Sequence, residues 1–127
     1  MSNEILVIGA AGVGKTSLVR KLKDSGISLV DTNGYIHYLR KYKFILVMFD
    51  LSVPETFEIS KTLLEQYKES RIIMICGNKS DMQNVVLNES AIKFSNYTKI
   101  PYFCVSIKTG ENYEQLLEYI RYIRTLC

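Results

Sequence analysis

The segment "GAAGVGKT", residues 9–16, carries the most specific chemistry in the chain. It fits G-x-x-x-x-G-K-[ST] at every fixed position. Glycines at these points let backbone N–H groups converge on an oxyanion, at the positive end of the helix that follows. Gly9, Ala10, Ala11, Gly12, Val13, Gly14, Lys15, Thr16 and Ser17 are the expected phosphate-binding residues. Lys15 adds a cation for the outer phosphates and Thr16 a hydroxyl for magnesium. A glycine-rich turn with a surface lysine is the plain alternative. The position of the segment, between an apolar run and a helix-period segment, favours a phosphate loop and so a bound nucleotide.

Two further stretches fit a nucleotide. In "GNKSD", residues 77–81, the carboxylate of Asp81 can accept two N–H donors from one edge of a base. Guanine offers that edge and adenine does not. The amide of Asn78 either contacts the base or ties this loop to the phosphate loop. In "VSIK", residues 105–108, Ser106, the Ile107 backbone and Lys108 fall beside it, and the aliphatic stem of Lys108 can cover one face of a base. Alone, "NKSD" reads equally well as a polar turn; downstream of a phosphate loop it reads as a ligand site. In "SLVDTNG", residues 28–34, a short apolar run delivers Asp31 to an Asn-Gly turn. Asp31 is there either as a metal-organising carboxylate or as ordinary turn punctuation.

These residues need a frame to converge. Apolar runs at 4–8, 28–30, 44–51, 71–76 and 102–106 are expected strands. They are apolar without alternation, as in parallel strands covered on both faces. Helices are expected at 15–25, 54–69, 89–97 and 111–125, the third opening after Asn88 as N-cap, with Ala91, Ile92 and Phe94 as its apolar positions. In the last, Tyr113, Leu116, Leu117, Ile120 and Ile123 form one stripe. Strand–helix alternation predicts a doubly wound α/β fold with right-handed crossovers. Ligands in such sheets bind at the carboxyl ends of the strands, where all three motifs fall.

Composition narrows the class. The 127 residues make one domain, 1–127, with 47% hydrophobic and 23% charged residues. The net charge of +3 is below the basic excess of a nucleic-acid binder, so no nucleic-acid partner is expected. The clusters Arg20, Lys21, Lys23 and Arg40, Lys41, Lys43 read as solvated faces. Cys76 and Cys104 read as small core hydrophobes, and the odd count of three cysteines gives no disulfide framework. Neither a signal peptide nor a membrane-spanning run nor a C-terminal lipidation box is seen. The expectation is a cytoplasmic protein without a strong membrane anchor.

At this point the chain resembles the Ras-like small GTPases over nearly its whole length. "GAAGVGKT" is similar to the first guanine-nucleotide motif of that family and "DTNG", residues 31–34, to the third, D-x-x-G. "NKSD" is similar to the fourth, N-K-x-D, and "SIK" to the fifth. The family's antiparallel edge strand is missing here, so the expected sheet is mainly parallel and five-stranded, of order 2-1-3-4-5, flanked by helices on both faces. The resemblance implies GTP/GDP and Mg2+ as ligands, with Asn78, Lys79, Asp81, Ser106, Ile107 and Lys108 holding guanine. Lys15 and the loop amides would hold the β- and γ-phosphates, Thr16 and Asp31 would serve the metal, and the Gly34 N–H would face the γ-phosphate. An effector or regulatory protein is the expected macromolecular partner.

The departures from the family are as informative. Only fourteen residues, 17–30, separate Thr16 from Asp31, and most belong to the first helix. The family's longer segment there, with its effector loop, magnesium-binding threonine and antiparallel edge strand, is missing. Tyr35 stands where the family usually has a water-orienting glutamine, and a phenol cannot present glutamine's paired carbonyl and amide. Ala11 replaces a glycine that supports fast hydrolysis, and His37 reads as a turn residue. The catalytic set is therefore Lys15 and Gly34, with Tyr35 in place of glutamine. The expected function is guanine-nucleotide binding with slow magnesium-dependent GTP hydrolysis. The alternative is a degenerate, non-hydrolysing module whose nucleotide is structural. The strand at 28–30 is expected at an open sheet edge, either solvated or used for homodimerisation by strand addition.

Overall fold

The structure is a computed structural model that describes residues 2–27, 29–31, 42–66, 72–79 and 85–125. Among the described residues five strands and four helices follow in the order β1 Ser2–Gly9, α1 Lys15–Asp24, β2 Leu29–Asp31, β3 Tyr42–Asp50, α2 Pro54–Gln66, β4 Ile72–Asn78, α3 Val85–Thr98, β5 Tyr102–Cys104 and α4 Tyr113–Thr125. The strands form one sheet in the order β2-β1-β3-β4-β5. Every neighbouring pair is parallel, with Leu6 opposite Val30, Val7 opposite Leu46, Met48 opposite Cys76 and Gly77 opposite Cys104. This is an α/β fold whose parallel sheet lies between two helical layers.

The unbroken apolar strands have a direct physical cause. Ile5, Val7, Leu46, Met48, Met74 and Cys76 pack toward α1 and α4, with Leu18, Leu22, Leu116 and Ile120. Their immediate neighbours Leu6, Ile8, Ile45, Val47, Phe49 and Ile75 pack toward α2 and α3, with Phe57, Leu64, Leu87 and Ala91. Both faces are dry, so neither parity of the strand needs to be polar. Each fully buried Leu or Ile contributes roughly 1.5–3 kcal/mol, and the sheet is held from both sides. The stripe of Tyr113, Leu116, Leu117, Ile120 and Ile123 on α4 is buried as expected.

Several expectations need correction. Helix α3 begins at Val85, not after Asn88, because Leu87 is buried against the α2 side of the core and continues the helix backwards. Asn88 is therefore no N-cap: its Oδ1 accepts a 2.7 Å hydrogen bond from the Tyr102 hydroxyl. Ile92 faces outward, 44% exposed, while Ala91 is buried and Phe94 packs against the core. Strand β5 stops at Cys104, not Ser106, and Cys104 is only half-buried. Helix α4 starts at Tyr113, two residues later than expected, since Gly110 and Asn112 both have positive φ and make a turn first.

Candidate functional site

The loops after β1 and β5 meet Asp50, Asn78 and Lys79 at the carboxyl edge of the sheet. Residues 9–14 of the phosphate loop run from β1 to α1 over this edge. Gly9 lies so close to β3 that a Cβ on it would collide with the Met48 carbonyl. Gly14, with φ 102°, is the N-cap of α1, and a Cβ there would collide with Asn78 Nδ2. Val13 points into the core and is fully buried, pinning the middle of the loop. Gly14 gives no side-chain cap, and the first turn of α1 holds no acid. The positive amino end of that helix is thus not offset by a local carboxylate. Lys15 Nζ donates to the carbonyls of Gly9, at 2.8 Å, and Ala10, at 2.9 Å, so the ammonium sits across the loop. Thr16 and Ser17 are exposed beside it, as are Ala11 and Gly12.

The Asn78 amide makes the tie to the phosphate loop that its sequence allows. Its Nδ2 donates to the Val13 carbonyl at 3.0 Å, and its Oδ1 accepts from the Ile107 N–H at 3.1 Å. One buried amide at the end of β4 therefore ties the phosphate loop to the loop after β5. Ser106 is fully buried and its Oγ accepts from the Thr109 N–H at 3.2 Å, which shapes the last loop. Ile107 is half-buried and Lys108 is exposed at the same edge. Lys79 holds a left-handed backbone, φ 68°, and its Nζ donates to Asp50 Oδ2 at 2.6 Å and to the Gly12 carbonyl at 3.2 Å.

Asp50 is a member of this site that its sequence motifs do not name. It ends β3, is 3% exposed, and its Oδ1 accepts from both the N–H and the hydroxyl of Ser52. Burial pushes its carboxyl up, but the Lys79 ammonium and the two Ser52 donors outweigh that and hold it below the ordinary carboxylate value. The available signal was a lone acid ending the apolar run "FILVMF" at the ligand edge of the sheet. Burial pushes the Cys76 thiol up to about 12, so it is an inert core group.

Asp31 ends β2 in register with Val7 of β1, the strand that leads into the phosphate loop. Among the described residues no three of His, Cys, Asp and Glu gather to cage a metal ion. Magnesium does not need such a cage: it keeps several waters and takes one or two protein ligands plus phosphate oxygens. The Thr16 hydroxyl, in the first turn of α1, is one oxygen donor of the kind that set uses. Gly34, Tyr35, His37, Arg40 and Asp81 lie outside the described residues. No helix among the described residues is long and apolar enough to cross a membrane.

A family model described as the Ras family matches residues 30–125. The chain belongs to the Ras family. The span includes Asp31, Asn78, Asp81 and Ser106 but not residues 9–16, so the phosphate loop stands on its own motif and geometry. The human Ras-related protein Rab-27A is 36% identical over 88 residues, covering 64% of this chain and 40% of that protein. The dog and rat proteins of the same name are 35% and 34% identical over spans of the same length. The chain thus matches about 40% of the length of these Ras-family relatives.

Proposed function

We propose that the protein binds guanine nucleotide with magnesium and hydrolyses GTP slowly. The observation that carries this reading is the Asn78 amide, the first residue of "NKSD", which joins a complete phosphate loop to the loop that bears "SIK". In this reading the loop amides and Lys15 hold the phosphates, and Thr16 with Asp31 holds the hydrated metal. Asp81 reads the guanine edge, while Ser106, Ile107 and Lys108 line the base. Bound magnesium would neutralise phosphate charge. The chain's own part is to hold the phosphate chain and the base at fixed separation. Slowness follows from Tyr35, whose phenol cannot orient water as a glutamine amide does.

Chromatography of the nucleotide released from the purified, heat-denatured chain is the first test, with GDP or GTP expected. Single-turnover phosphate release from GTP should exceed the buffer rate and vanish in Lys15→Ala. Adenine nucleotide in the released fraction would refute the base assignment, and no phosphate over many hours would refute hydrolysis.

A further inference from the structure

The buried acid Asp50 belongs to none of the four nucleotide motifs, yet it is wired to the phosphate loop. Its Oδ1 is saturated by Ser52, which leaves Oδ2 directed at Lys79 Nζ, 2.6 Å away. The same ammonium reaches the Gly12 carbonyl at 3.2 Å. The backbone that carries the carboxylate is held as well: Asp50 N–H donates to Thr56 Oγ1 at 2.8 Å, and the Asp50 carbonyl accepts from the Val53 N–H at 3.0 Å. A side chain 4% exposed thus anchors one that is 36% exposed, and the anchored one holds the loop.

The consequence follows from peptide geometry. In a planar trans peptide the carbonyl of one residue and the N–H of the next point in opposite directions. Lys79 draws the Gly12 carbonyl one way, so the Val13 N–H is turned the other way. Asn78 draws the Val13 carbonyl to itself, at 3.0 Å, and turns the Gly14 N–H likewise. Two successive peptide planes are therefore fixed from behind, leaving two successive donors for an anion. Lys79 adopts a left-handed backbone to do this, at a cost of about 1–2 kcal/mol for a residue with a Cβ. A charged partner of fixed position offsets that cost.

We propose that Asp50 is a positioning residue for the nucleotide's phosphates, acting through Lys79 to set the Gly12–Val13 peptide. The proposal rests on the nucleotide-binding reading above. It is tested on the full chain with fluorescent N-methylanthraniloyl-GDP, by stopped-flow dissociation from wild type, Asp50→Asn, Lys79→Met and the double variant. A hydrogen bond to a charged group of ordinary strength predicts dissociation about tenfold faster in Asp50→Asn. Within the Lys79→Met background the same change should add less than about twofold, because the partner is already gone. An equal effect in both backgrounds overturns the proposal, since a generally loosened fold would act without Lys79. Unchanged dissociation in Asp50→Asn overturns it as well, with nucleotide binding intact. A wild-type chain that does not bind the probe overturns the binding reading and the proposal together. Should Asp50→Asn not fold, Ser52→Ala keeps the charge and loses one donor; dissociation two- to threefold faster supports the proposal and an unchanged rate overturns it.

Discussion

Gly14 and Gly12 occupy the same loop and have left-handed backbones, φ 102° and 79°, but for different reasons. A methyl group on Gly12 would meet nothing within 4 Å, so glycine is required there by φ alone. At Gly14 a methyl group would also strike Asn78 Nδ2, the group that bridges to Val13. Gly12→Ala should therefore cost about 1–2 kcal/mol of stability, the left-handed penalty. Gly14→Ala should cost about 1 kcal/mol more, because the Asn78 hydrogen bond is lost with it. Urea denaturation of the two variants without nucleotide checks the order; equal costs would show that Asn78 moves aside freely. At this scale the motif residues were legible, since glycine, lysine and amide types at fixed spacing state their own chemistry. Asp50 was not, because its meaning depends on Lys79, a partner twenty-nine residues away.

Helices and strands were legible where their apolar pattern had one explanation. On α4, the Tyr113, Leu116, Leu117, Ile120 and Ile123 stripe has helical spacing and buries as a unit. On α3, by contrast, the apolar residues are spread around the helix, and the pattern did not separate buried from exposed positions. Asn88 looked like a cap because asparagine before a polar turn usually is one. The Tyr102 hydroxyl, on a strand beyond the helix, recruits it instead. Two isoleucines measure the difference. Ile120→Ala removes a fully buried side chain and should cost about 2–5 kcal/mol. Ile92→Ala removes one that is 44% exposed and should stay within about 0.5 kcal/mol of wild type. Chemical denaturation midpoints at constant m-value decide it, and a large loss at Ile92 would place that residue in a buried contact.

For the whole molecule, alternation of apolar runs and helix-period segments made the α/β architecture legible, while the ties among loops were not. Sequence spacing brings the motifs to one edge of the sheet; it does not show that Asn78 bonds two other loops there, nor that Ile107 is its second partner. Those ties make the site part of the cooperative fold and not an appendage to it. Strands β1, β3 and β4 end under the phosphate loop, and the loop is pinned by Val13 in the core. A ligand that bridges the phosphate loop and the base loops should then stabilise the entire domain. At a free GDP concentration a hundredfold above its dissociation constant, linkage gives about 2.7 kcal/mol. For a domain of this size that raises the melting temperature by roughly 8–13 °C. With magnesium present, thermal melting followed by circular dichroism should show one transition moving by this amount with GDP. ADP at the same concentration should leave it in place, because the base edge that Asp81 would read is absent from adenine. Two transitions, with only one responding to GDP, would mean that the phosphate and base loops belong to separately melting units, contrary to the Asn78 bridge.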